Sequence, residues 1–228
     1  MINRAMGDYL KVTYKLQKQK GLDRVSTSAI AEALDLSAAS VTNMLKRLSN
    51  MKLINYNPYR GVELTEAGEK VALEVIRHHR LIELYLAEAL GYSWDKVDAE
   101  AEKLEHSISE EFEDKIDEIL GYPTEDPHGD PIPAKDGTLK EMKYDRLSDI
   151  EVGQSVEIRR VDDKDPAVLR YLETLGLLPS VVVDVTEVAP FNGPLTVKVN
   201  DNKHALGREL ASNIYVDPRK DDQGLQNS

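Results

Sequence analysis

The chain has 228 residues, of which 41% are hydrophobic and 31% charged, and it contains no cysteine, so disulfides and thiolate metal sites are excluded. No apolar run approaches the ~18 residues of a membrane span, and Met1–Lys20 has mixed charge and no secretory hydrophobic region, so a cytoplasmic location is expected. The net charge of −12 is unevenly placed: residues 1–60 hold ten Lys/Arg against four Asp/Glu, a net +6, and the remainder carries −18, as in a basic polyanion-binding head on an acidic body.

Residues 4–20 are predicted to form an amphipathic helix with Tyr9, Leu10, Val12, Thr13 and Leu16 toward a core, broken at Gly21. Ser26, Thr27 and Ser28 offer N-caps for a short helix from Ala29 to Leu34. Asp35-Leu36-Ser37 leads into a second helix, Ala38 to Met51, with Val41, Met44, Leu45 and Leu48 as its buried stripe. Two short helices joined by a tight turn form a helix-turn-helix. The opposite face carries Ser37, Ala39, Ser40, Thr42 and Asn43, small or amide side chains that let a helix enter the major groove. Lys46 and Arg47 follow, placed to reach phosphates. Residues 53–64 are predicted as two strands around a Pro/Gly turn, a wing with Tyr59 and Arg60 at its tip. The candidate DNA contacts are therefore Thr27, Ser28, Ser37, Ala39, Ser40, Thr42, Asn43, Lys46, Arg47 and Arg60.

Two long helices are predicted next, Thr65 to Leu90 and Trp94 to Leu120. Their apolar surface exceeds what one subunit covers, which points to a homodimer and hence to a palindromic DNA operator. Residues 121–137 are too rich in proline and glycine for regular structure. Beyond Leu147 short β runs appear at Ser155–Val161, Val181–Ala189 and Leu195–Val199, interrupted by a helix, Pro166–Leu175; they are the mark of a small SH3-like β-barrel. The polar tail is expected to be disordered. The fold class is mainly α with a small β part. Its divisions are a winged helix-turn-helix (1–73), a helical dimerisation and metal-binding domain with the proline-rich connection (74–145), an SH3-like domain (146–217) and a tail (218–228).

Candidate metal ligands cluster on the helices. Glu102, Glu105 and His106 stand at i, i+3 and i+4, so their side chains project from one face. His79 and Glu83 stand at i, i+4, and Asp98 lies one turn before Glu102. Asp8 is an isolated carboxylate on a basic helix, and Asp126 and His128 sit in the proline-rich connection. Oxygen and imidazole donors without sulfur suit Mn²⁺ and tolerate Fe²⁺. Co²⁺, Zn²⁺ or Cd²⁺ can enter such sites in vitro.

The stretches DYLK (8–11), IAEALDLSAASVTNML (30–45), LTEAG (64–68), RHHRLIE (77–83), AEKLEH (101–106) and DPHGDPIP (126–133) occur in one order. On them the chain resembles the diphtheria toxin repressor family, and within it the manganese transport regulators. That resemblance implies a primary metal site of Asp8, Glu102, Glu105 and His106. It implies an ancillary site that contains His79 and Glu83 and is closed either by Asp98 or by Asp126 and His128 with a barrel acid, Asp163 or Asp165. In iron-tuned relatives a sulfur ligand stands where Glu102 is found. Lys11 occupies a position that is a ligand carboxylate in some binuclear manganese regulators, so that two-ion arrangement is not expected.

The expected protein is therefore a non-enzymatic, metal-activated repressor of metal-uptake genes, with Mn²⁺ as corepressor and Fe²⁺ as the alternative. Double-stranded DNA and a second copy of the chain are its expected partners, with no membrane and no small organic substrate. A metal-dependent hydrolase lacks a nucleophile motif or phosphate loop here. A winged-helix repressor sensing an organic ligand would leave the acids merely solvated.

Overall fold

The computed structural model describes residues 2–21, 23–140, 142–162 and 164–218. The chain begins with α1 (Arg4–Lys20), capped by the Asn3 side chain on Met6 N and closed by Gly21 in the left-handed conformation. Tyr9, Leu10 and Thr13 are buried as expected, together with Met6 and Tyr14. Helices α2 (Thr27–Leu34) and α3 (Ala38–Asn50) begin at Ser26 and Ser37, whose hydroxyls each accept a backbone N–H of the first turn. Val41, Leu45 and Leu48 face inward; Met44 is half-buried.

Strands β1 (Ile54–Asn57) and β2 (Gly61–Leu64) form the wing, an antiparallel hairpin pairing Ile54 with Leu64 and Asn57 with Gly61. Val25 and Val62 exchange backbone hydrogen bonds of 2.8 Å, which pins the wing to the segment before α2. Gly61 is required there, because its φ is +86° and a Cβ would lie 2.3 Å from the Val25 carbonyl oxygen. Helix α4 (Glu66–Glu88) matches the predicted first long helix.

The predicted second long helix is two shorter ones, α5 (Val97–Leu104) and α6 (Glu110–Ile119). The break has a local cause. The Ser109 hydroxyl accepts from Phe112 N, and Glu110, Glu111 and Glu113 fill the first turn, so a new helix starts there with its positive dipole end compensated.

The barrel contains β3 (Asp145–Arg146), β4 (Ser155–Val161), α7 (Pro166–Thr174), β5 (Val182–Val188), β6 (Leu195–Val199), β7 (Asn202–Leu206), α8 (Arg208–Ala211) and β8 (Ile214–Pro218). Its sheet is antiparallel in the order β3-β8-β4-β5-β6-β7.

The chain divides into two compact units. The first comprises Met1–Ile82, Ala101–Tyr122 and Ile132–Lys140; the second comprises Glu83–Glu100, Pro123–Pro131 and Glu141–Ser228. In the first, Leu10, Ile30, Leu45 and Ile76 belong to one apolar cluster. In the second, Trp94 packs into the barrel core with Leu147, Ile158 and Leu172. Among the described residues no helix is long and apolar enough to cross a membrane.

Candidate metal centres and DNA-facing surface

In the first unit, α1 meets the end of α5. The Asp8 Oδ1 lies 2.6 Å from His106 Nε2, and Glu105 Oε1 lies 3.0 Å from the same nitrogen. Donor atoms of Asp8, Glu105 and His106 all lie within 4.8 Å of one another, a set that could hold a metal ion. Gly7 makes the approach possible: a Cβ there would sit 2.7 Å from His106 Cε1. Arg4 ties the same helix to the Glu102 carbonyl oxygen at 3.1 Å.

Glu102 is drawn to a neighbouring position. The Lys11 ammonium donates to Glu102 Oε1 at 2.6 Å and to Glu105 Oε2 at 2.7 Å, and it lies 3.2 Å from His79 Nδ1. His79, Glu102 and Glu105 form a second potential ligand set around it. Burial alone would push the Lys11 ammonium down, but the charges and hydrogen bonds of Glu105 and Glu102 hold it above the ordinary lysine value. Glu105 mirrors it. Burial would raise its carboxyl, but the His79 hydrogen bond and the Lys11 charge hold it below the usual carboxylate range.

A supporting layer lies behind Glu105. His78 Nδ1 is 3.1 Å from the Glu105 carbonyl oxygen, and its Nε2 is 3.1 Å from Glu113 Oε2. Arg77 donates to Glu113 at 2.5 Å, to Asp117 at 2.7 Å and to the Pro133 carbonyl at 2.8 Å. Gly7, His78 and Arg77 are positioning residues that sequence reasoning missed; the only signal was their place inside or beside stretches already singled out.

In the second unit Glu83, Asp126 and His128 are all buried, and their donor atoms also lie within 4.8 Å of one another. His128 Nε2 is 2.8 Å from the Trp94 carbonyl, which can only accept, so Nε2 carries the proton. In the neutral ring Nδ1 is then the lone-pair nitrogen, and it lies 3.9 Å from Glu83 Oε1. That separation is too long for a hydrogen bond and suits two atoms sharing an ion. Asp126 Oδ1 accepts from the backbone N–H groups of His128 at 2.8 Å and Asp130 at 3.0 Å. The Trp94 and His128 rings stack at 5.7 Å. Oxygen and imidazole donors in both units therefore fit a divalent ion of the Mn²⁺ or Fe²⁺ type.

Of the other predicted ligands, Asp98 opens α5, half-buried in the first turn. Asp165 is the N-cap of α7, accepting from Ala167 N at 2.8 Å. Asp163 lies outside the described residues.

The helix-turn-helix exposes Ser28, Ser37, Ala39, Ser40, Asn43, Lys46 and Arg47, with Thr27 and Thr42 half-buried. Thr42 turns its hydroxyl back onto the Ala38 carbonyl. Tyr59 is 98% exposed at the wing tip, beside exposed Arg60.

Family models match in the same order. Residues 1–62 match the iron dependent repressor N-terminal DNA binding domain, and residues 65–134 match its metal binding and dimerisation domain. The iron-dependent repressor IdeR of Mycobacterium tuberculosis is 31% identical over 221 residues, covering 92% of this chain and 95% of that protein. The chain belongs to the diphtheria toxin repressor family.

Members of this family are metal-dependent, DNA-binding transcriptional repressors. Residues 146–218 match the FeoA domain, which accounts for the SH3-like barrel. The MntR regulator of Oceanobacillus iheyensis is 33% identical over 154 residues, covering 67% of this chain and 97% of that protein. A manganese-dependent transcriptional repressor in complex with manganese superposes with a TM-score of 0.83 at 35% identity, covering 93% of this chain and 99% of that one. The manganese regulator SloR superposes with a TM-score of 0.72 at 31% identity, covering 96% and 100%.

Proposed function

We propose that the chain is a Mn²⁺-activated repressor of metal-uptake genes that binds a palindromic operator as a homodimer. The observation that carries this reading is the meeting of Asp8, on the helix that supports the reading head, with Glu105 and His106 at the end of α5. Asp8, Glu102, Glu105 and His106 would hold the activating ion; Glu83, Asp126 and His128 would hold a second, with His79, Asp98 and Asp163 as further ancillary candidates. Bound there, a divalent ion supplies positive charge to clustered carboxylates that otherwise repel one another. Asp8 fixes the position of α1 against His106, so a DNA-competent arrangement of the head is favoured over its alternatives.

Mn²⁺ is favoured over Fe²⁺ by the sulfur-free donor set and by the manganese-dependent neighbours. Fe²⁺ is the second reading, favoured by the iron-dependent relatives. Exposed Phe112 and Ile119, seven residues apart on one side of α6, suit a second copy. Such a repressor works beside DNA, in the cytoplasm.

Fluorescence anisotropy on an uptake-gene promoter tests the reading, with Mn²⁺, anaerobic Fe²⁺, Co²⁺ and Zn²⁺ titrated separately. Binding should require metal, respond to Mn²⁺ at cellular concentrations, and be lost in His106→Ala. Equally tight binding in chelator would overturn it. In the same assay Lys46→Ala or Arg47→Ala should weaken all sequences alike and reduce the salt slope by about one unit, whereas Asn43→Ala should flatten sequence preference. Trp94, the chain's single tryptophan, stacks on His128, so its emission should report Mn²⁺ in the second unit and fall silent in His128→Ala.

A further inference from the structure

Among the described residues, the first unit has two overlapping cation positions that share Glu105. One lies among Asp8, Glu105 and His106, and the other among His79, Glu102 and Glu105. The second already holds a cation, because the Lys11 ammonium is within 2.6–3.2 Å of all three of its donor side chains. Its side chain is 4% exposed, so water does not screen those contacts.

We infer that the Lys11 ammonium is a tethered counter-ion that takes the place of a second metal on Glu105 and limits the first unit to a single divalent ion. This rests on the reading that Asp8, Glu105 and His106 hold the activating metal. Charge balance supports it. Asp8, Glu102 and Glu105 carry three negative charges, which one divalent ion and one ammonium neutralise together. Two divalent ions beside Lys11 would leave an excess of positive charge in a largely buried cluster, where uncompensated charge is costly. Position supports it as well. Lys11 lies three residues after Asp8 on α1, so both side chains leave the same face of the helix and enter neighbouring halves of one cluster. Lys11 is therefore a specificity-determining residue for ion number, and its ammonium also keeps His79 from rotating onto the first ion.

The test counts ions in the full chain carrying Glu83→Ala together with His128→Ala, which removes the centre of the second unit and the Glu83 donor on which the other ancillary candidates depend. Free Mn²⁺ is followed by electron paramagnetic resonance during titration, and the bound signal is inspected for coupling between neighbouring ions. With Lys11 in place one Mn²⁺ should bind, without coupling. Lys11→Glu supplies a fourth carboxylate and should double the stoichiometry, with a coupled-pair signal. Lys11→Gln frees the same three donors without adding charge and should admit a second, weaker ion. Two ions with Lys11 in place would overturn the inference without any variant having to fold. A single ion in both Lys11→Glu and Lys11→Gln would overturn it too. No binding to the chain with Lys11 intact would overturn the metal assignment itself, and the inference with it.

Discussion

Glu105→Gln should abolish metal-activated DNA binding and destabilise the chain even without metal. Glu105 is 1% exposed, and its two oxygens are divided between three groups. Oε2 takes the Lys11 ammonium at 2.7 Å and His79 Nδ1 at 2.5 Å, while Oε1 lies 3.0 Å from His106 Nε2. An amide of the same size keeps the volume and removes the charge. Of its two carboxylate partners Lys11 then keeps only Glu102, whose side chain is 43% exposed and a weaker partner. Removing one member of a buried ion pair costs about 3–5 kcal/mol, and the remaining Glu102 contact places the expected loss near the lower end. Metal affinity should fall by more than the roughly 10- to 100-fold typical of losing an outer-shell partner, because Glu105 belongs to both ligand sets of the first unit. Urea unfolding in chelator reads the first effect, and Mn²⁺-dependent anisotropy reads the second. Wild-type stability together with a wild-type Mn²⁺ midpoint would show that Glu105 is not the centre of the cluster.

What the sequence revealed here depended on whether a signal was local. The α3 stripe and its Ser37 cap could be read directly, as could β6, whose apolar residues alternate cleanly, and β4, which alternates as far as the bulge after Ile158. β7 could not: Asn202–Leu206 is mostly exposed at the sheet edge, so its polar residues carry no strand pattern and only pairing with β6 defines it. The break between α5 and α6 was legible in Ser109-Glu110-Glu111 but was outweighed by the longer apolar period on either side. In the cluster, Glu102, Glu105 and His106 were found by their helical spacing, although α5 itself ends at Leu104. The salt bridges of Lys11 to Glu102 and Glu105 span 91 and 94 residues, and no periodicity reports such a contact. Lys11 looked like a missing ligand; in the fold it is a cation in a ligand cluster.

Gly129→Ala should remove the metal centre of the second unit while leaving that of the first intact. Gly129 has φ +88°, and a Cβ would stand 1.9 Å from the Arg159 carbonyl oxygen. A left-handed backbone costs an ordinary residue about 1–3 kcal/mol, and the clash here is with backbone, which cannot rotate away. Arg159 stands at the bulge of β4 between Ile158 and Arg160, and both of those neighbours are paired with β8, so the strand is anchored on either side of it and resists displacement. The segment 123–131 must move instead. It is anchored to β4 through Val161 N on the His128 carbonyl at 2.9 Å, and it carries both Asp126 and His128. Its displacement takes two of three donors away from Glu83 and lifts the His128 ring from Trp94. Gly153→Ala is the matched control, since Gly153 has the same φ of +88° with nothing within 4 Å of a Cβ. The control should show backbone strain alone, with a lowered unfolding midpoint and an unchanged Trp94 response to Mn²⁺. Gly129→Ala should lose that response and bind one ion fewer per chain. If Gly129→Ala keeps the Trp94 response, the segment is not what holds Asp126 and His128 against Glu83, and the second centre must be built some other way.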